Sequence, residues 1–117
     1  MPDTDRIEMW SYRVDMRDPG DIAGYSIHAT DGEIGKVDKH DIDAGRRYLL
    51  VDTGPWIFGR TVMLPAGVVE RVDHVHGTVY VARTKDQIKH APEYQENRRD
   101  DDAYHDELGE YYAGHHT

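Results

Sequence analysis

His74 and His76 stand two residues apart with Asp73 beside them. On a regular strand, side chains at i and i+2 share a face, so two such imidazoles would form a workable pair for Zn²⁺ or Ni²⁺. Asp73 would point the other way and no third ligand can be assigned, so the plainer alternative is two solvated histidines at a turn beside Gly77. Asp38, Asp41 and Asp43, with His40 and Gly45 nearby, superficially suggest a calcium loop. An EF-hand needs ligands at alternate positions, Gly at the sixth and Glu at the twelfth. Counting from Asp41 makes Gly45 fifth and Asp52 twelfth, so the register fails and these acids are read as flanking an exposed strand end.

Other reactive chemistry has little material. There is no cysteine, which excludes a disulfide framework, a thiolate metal site and a cysteine nucleophile. Ser11 and Ser26 are the only serines, and neither sits in a Gly-x-Ser-x-Gly elbow. Gly32-x-x-Gly35 lacks the third glycine and the following helix of a dinucleotide site. Eight histidines are present as general acids or bases, but no pocket can be deduced for them. The expectation is a protein that is not an enzyme and carries no cofactor.

Aromatic side chains offer recognition instead. Trp56, Ile57 and Phe58 lie between Gly54 and Gly59, as an exposed contact or as a plug folded over a barrel end. Trp10 and Tyr12 alternate with polar neighbours in an N-terminal arm, residues 1–21, expected to dock on its own barrel or on a neighbour's. Tyr104, Leu108 and Tyr111 or Tyr112 fall on one helical stripe in the tail, residues 95–117. That tail reads either as a solvated, partly disordered extension or as a helix whose stripe pairs with another subunit.

Between them, residues 22–94 read as one small β-domain. Strand-like runs cover Tyr25–Ala29, Glu33–Asp43, Tyr48–Val51, Val62–Pro65, Val68–Val75 and Thr78–Arg83, with turn signals between. Asp31-Gly32 suits a tight hairpin. Ile34 and Val37 are an odd number apart, so a bulge or bend near Gly35 is expected. Tyr48-Leu49-Leu50-Val51 is the most continuous apolar run and the best candidate for a strand buried on both faces. Thr84-Lys85-Asp86-Gln87 has the spacing of a capping box, opening a helix that must stop before Pro92. A second helix would start after Asp101 or Asp102 and stop at Gly114. The fold class expected is mainly β: a small antiparallel barrel of about six strands, a short capped helix and a second tail helix.

Charge narrows the partners. The net charge is −9; residues 93–117 carry eight acids against Arg98 and Arg99, a net of −6. No basic stripe exists for a phosphate backbone, so direct nucleic-acid binding is not expected, and a protein partner is easier to accommodate. No apolar run approaches the roughly 20 residues needed to span a bilayer. The first residues resemble no secretion signal, so a cytoplasmic setting is expected.

Gly24-Tyr25-Ser26-Ile27 followed by Asp31-Gly32-Glu33-Ile34-Gly35-Lys36-Val37 is similar to the opening of a PRC-barrel domain, named after the photosynthetic reaction-centre H chain. Tyr48–Gly54, Phe58-Gly59-Arg60 and Val62-Met63-Leu64-Pro65 extend the resemblance, and Lys89–Tyr94 resembles the ending of free-standing bacterial members. The resemblance implies a small barrel-like β-fold used for protein docking. One branch of the family sits under membrane reaction centres, and another forms half of a ribosome-maturation factor and contacts a ribosomal protein. The expected match is the short, stand-alone group, for which the resemblance carries over no catalytic residues. The functional expectation is a protein-interaction module, self-associating as a homodimer. A metal- or small-ligand-binding module and a ribosome-associated accessory factor are the alternatives.

Overall fold

The computed structural model describes Trp10 and residues 22–43, 46–53, 60–99 and 101–114, with the backbone alone over 39–43 and at 46. The strands are β1 (Ser26–Ala29), β2 (Gly32–Asp43), β3 (Arg46–Asp52), β4 (Thr61–Pro65), β5 (Val69–Asp73) and β6 (Thr78–Val81). Two α-helices follow among the described residues, α1 (Lys85–Lys89) and α2 (Asp102–Ala113). The mainly β class read from the sequence, with a capped short helix and a tail helix, is the one observed.

The strands form one six-stranded sheet in the order β4-β3-β2-β1-β6-β5. Its two edge strands are consecutive in the chain, joined only by a 3₁₀ turn at Ala66–Val68. A flat sheet of this width would hold its edges about 24 Å apart. Four residue steps from Pro65 to Val69 reach at most about 14 Å. The sheet must therefore curl, and the short link keeps it curled. One pairing departs from an all-antiparallel barrel: β1 runs parallel to β6, with Ser26 opposite Thr78 and His28 opposite Tyr80.

The bulge expected near Gly35 is present. Ile27 pairs with Gly35 but His28 pairs with Glu33, leaving Ile34 as the extra residue. This insertion lets Ile34 and Val37 both turn inward, where each is buried. The β1–β2 turn is Thr30-Asp31, one residue earlier than the hairpin signal suggests, since Ala29 already pairs with Gly32.

The fifth strand is shorter than its pattern implied. Val68 belongs to the 3₁₀ turn, and residues 74–77 form a turn, not a strand end. Asp73 closes that turn: its Oδ1 accepts from the backbone N–H of Val75 at 3.0 Å and of His76 at 3.1 Å. The register also slips between Val69 and Arg71. Val69 therefore packs inward beside Val72 and Arg71 turns outward, where plain alternation had put Val69 and Arg71 on one face.

Residues 48–51 of β3 are all buried, as the apolar run suggested. Tyr48 and Leu50 share one face and Leu49 and Val51 the other. Leu49 pairs with Leu64 and Val51 with Val37, facing the barrel interior. The Tyr48 face is covered by Trp10 and α2, whose Tyr104, Leu108 and Tyr112 join the same core as the strands.

The capping box on α1 is formed in both directions. Thr84 Oγ1 accepts from the Gln87 N–H at 3.1 Å, and Gln87 Oε1 accepts from the Thr84 N–H at 2.9 Å. Asp101 caps α2, accepting from the Ala103 N–H at 2.9 Å.

Gly35 gives a direct test of this geometry. Its φ is +153°, and a Cβ there would lie 2.1 Å from the Asp52 carbonyl oxygen. Gly35→Ala is expected to lower unfolding free energy by about 2–4 kcal/mol, read from a urea melt. A wild-type midpoint would contradict the close approach of β2 to β3.

Candidate functional site

Of the interaction candidates in the arm and tail, Trp10, Tyr104 and Leu108 are internal. Trp10 is only 4% exposed. Its ring meets Tyr48 edge-on at 6.4 Å and lies 5.1 Å from His105, while its carbonyl accepts from the Arg47 N–H at 2.8 Å. Trp10 thus docks on its own barrel. Tyr104, Leu108 and Tyr112 are fully buried, and the half-buried Tyr111 donates its hydroxyl to the Gln87 carbonyl of α1. Burial inside the same chain takes Trp10, Tyr104 and Leu108 away from any contact surface of this fold. Tyr12, Trp56, Ile57 and Phe58 lie outside the described residues.

His74 and His76 do not converge. With both in a turn, the strand period that would align them does not apply. His74 Nδ1 is 2.9 Å from the Tyr25 hydroxyl, whereas His76 Nδ1 is 2.7 Å from Asp73 Oδ2. The bond from His76 holds the Asp73 carboxyl below its ordinary range. Among the described residues, no three His, Asp or Glu side chains are placed to share a cation.

What the outer surface does offer is a row across four strands. Arg71 on β5 pairs with Tyr80 on β6, Tyr80 with His28 on β1, and His28 with Glu33 on β2. Side chains at paired positions share a face, and here they touch in turn. The Arg71 guanidinium lies 4.1 Å from the centre of the Tyr80 ring. The Tyr80 and His28 rings are 5.7 Å apart, and His28 Nε2 is 3.7 Å from Glu33 Oε1. Tyr80 and His28 are half-buried, while Arg71 and Glu33 are exposed. A cation, two rings and an anion are thereby held in fixed order on a rigid sheet, with Tyr80 braced from both sides.

Alternation alone places His28 and Tyr80 opposite to inward residues of their strands. The row itself depends on the parallel β1–β6 pairing and on the two bulges, which align four residues distant in sequence. No local motif announces it.

The interior is unusually polar at the α2 side. Arg83 is buried and has no carboxylate partner among the described residues; its guanidinium donates to the carbonyls of Ala82 at 2.6 Å and Tyr112 at 3.0 Å. Burial pushes its pKa down. The Tyr112 carbonyl belongs to the last turn of α2, where a cation meets the negative end of the helix dipole. Among the described residues, Arg83 Nε and the Tyr112 hydroxyl find no hydrogen-bond partner. His105 is also buried, and its Nε2 lies 2.6 Å from the Arg99 carbonyl, so that nitrogen carries the proton and donates.

No family model matches the chain, and no curated protein matches it. Among solved structures it is similar to a Pseudomonas aeruginosa protein assigned as the 16S ribosomal RNA processing protein RimM, at 19% identity and a TM-score of 0.49. The likeness covers 56% of this chain and 42% of that one, so this chain spans less than half the length of that protein. At that level the likeness says nothing of what this chain binds. No helix among the described residues is long and apolar enough to cross a membrane.

Two measurements check the packing beneath the surface. A Cβ on Gly109 would sit 2.7 Å from Trp10 Nε1. In a Trp56→Phe background, where Trp10 is the sole indole, Gly109→Ala is expected to shift its fluorescence to the red and lower stability by about 1–3 kcal/mol. Unchanged emission would mean that Trp10 does not rest on α2.

The second is alkaline titration. Burial raises the Tyr104 and Tyr112 phenols far above their ordinary value. The folded state then holds these protons more tightly than the unfolded one. The resulting stabilisation is complete below about pH 10 and falls as pH rises past it. Phenolate absorbance from Tyr104 and Tyr112, read by difference from Tyr→Phe variants, is expected only as the fold is lost. Their reversible ionisation near pH 10 in the folded protein, about the value for a free phenol, would contradict the burial.

Proposed function

We propose that this chain is a non-enzymatic protein-docking module that presents the outer face of β2, β1, β6 and β5 to a protein partner. The observation that carries this reading is the row Arg71–Tyr80–His28–Glu33, solvent-facing and internally braced. Arg and Tyr dominate energetic hot spots because each gives a large contact area together with directional polar groups. A braced Tyr also loses little freedom when a partner closes over it. The cysteine-free sequence is compatible with a reducing compartment, and a cytoplasmic setting is part of the same proposal.

A photo-crosslinking residue at position 80 tests this in the cells that make the protein, with Glu107, exposed on α2, as the control position. Protein adducts are expected from position 80 and not from position 107. Equal yields at both positions, or none at 80, would overturn the reading. Adducts with a ribosomal protein would favour the ribosome-associated alternative that the sequence resemblance implies.

A further inference from the structure

Resting on the docking reading above, we infer that the row pairs with the same row of a second copy of this chain. The two copies would be related by a two-fold axis lying in the interface along the strands, between β1 and β6.

The ground for this is the order of the four side chains. Read from β5 to β2, the row runs cation, ring, ring, anion, so it is its own complement when reversed. The two-fold rotation reverses it. Arg71 then meets Glu33 of the partner subunit, and Tyr80 meets His28 of the partner subunit, each contact occurring twice as an isologous interface requires. A rotation about the row itself would instead set Arg71 against Arg71 of the partner subunit, which like charge disfavours. Charge complementarity therefore selects both the occupant and its orientation.

The shape of the sheet agrees. The outer face of a curled sheet is convex, so two copies touch first at the centre of the row. The ends lie about 14 Å apart across four strands. Arg71 and Glu33, at those ends, are exposed and long enough to reach across the widening gap. Tyr80 and His28, at the centre, are half-buried and already fixed.

Two effects set the strength. The paired rows cover less than the roughly 800 Å² per partner of a standard interface. The net charge of −9 on each copy also opposes association, although physiological salt screens beyond about 8 Å. The complex is accordingly weak, dissociating in the micromolar range.

Sedimentation of the purified full chain across the micromolar range, with melting curves to confirm folding, tests the pairing. Wild type is expected to shift from monomer to dimer. R71E and E33R should each raise the dissociation constant by about tenfold or more, because each sets like charges together twice. E33R is needed because Arg71 also braces Tyr80, whereas Glu33 is an exposed end of the row. Mixing the two variants in equal amounts is the decisive arm. The R71E row is acidic at both ends and the E33R row is basic at both ends. Opposite charges then meet at each end, so a mixed dimer should form where neither variant dimerises alone. A structural defect would not be rescued by mixing.

A monomeric wild type throughout, a dimer indifferent to both substitutions, or a mixture that stays monomeric would each overturn the inference. Crosslinks from position 80 to a different protein, beside a monomeric wild type, would leave the docking reading standing while removing the second copy as its partner.

Discussion

The covering of Tyr48 is the contact on which the remaining structure depends. β3 is flanked by β2 and β4 and buries Leu49 and Val51 toward the barrel interior. Its other face, with Tyr48 and Leu50, would be wet apolar surface without a second layer. The Trp10 ring packs edge-on and the His105 ring tilted against Tyr48, and Arg99 donates to its hydroxyl at 3.2 Å. A twelve-residue helix is marginal by itself in water. Burying Tyr104, Leu108 and Tyr112, at roughly 1.5–3 kcal/mol for each large apolar side chain, is what makes α2 persist. Sheet and helix therefore stabilise each other.

That mutual dependence explains the polar groups left inside. A buried guanidinium without a carboxylate carries a desolvation cost of several kcal/mol. Arg83 recovers part of it through two carbonyls, one of them at the negative end of α2. Its hydrogen bond also ties the end of β6 to the end of α2, fixing the direction in which the helix crosses. At the other end, Arg98 bonds Asp101 at 3.0 Å and lowers its carboxyl pKa while Asp101 caps the helix. Both termini of α2 are thus held by charged side chains, and its middle by apolar ones.

With α2 and Trp10 covering the β3 part of the sheet, Arg71 and Glu33 on the outer face of β5 and β2 stay exposed, with Tyr80 and His28 half-buried between them. Val75 is the exposed large hydrophobic among the described residues, at 88%. The row on this face is built of ordered polar and aromatic groups, not of an apolar patch.

Much of this was legible in the residues themselves. The capping box at Thr84, the helix beginning after Asp101, the bulge near Gly35 and the doubly buried β3 all follow from local rules about hydrogen-bonding groups and apolar periodicity. The length of β5 was misread because an Asp side chain that closes a turn interrupts an otherwise regular alternation. Trp10, Tyr104 and Leu108 read from the sequence as contact residues, because a stripe of apolar residues has the same pattern whether it packs on its own sheet or on another subunit. The row Arg71–Tyr80–His28–Glu33 had no signature, since it draws one residue from each of four strands. By itself the sequence determined which segments form strands and helices, because backbone hydrogen bonding and side-chain period are local properties. Only the tertiary structure decided which faces are covered and which stay open, because that depends on the parallel β1–β6 register and on where α2 comes to rest.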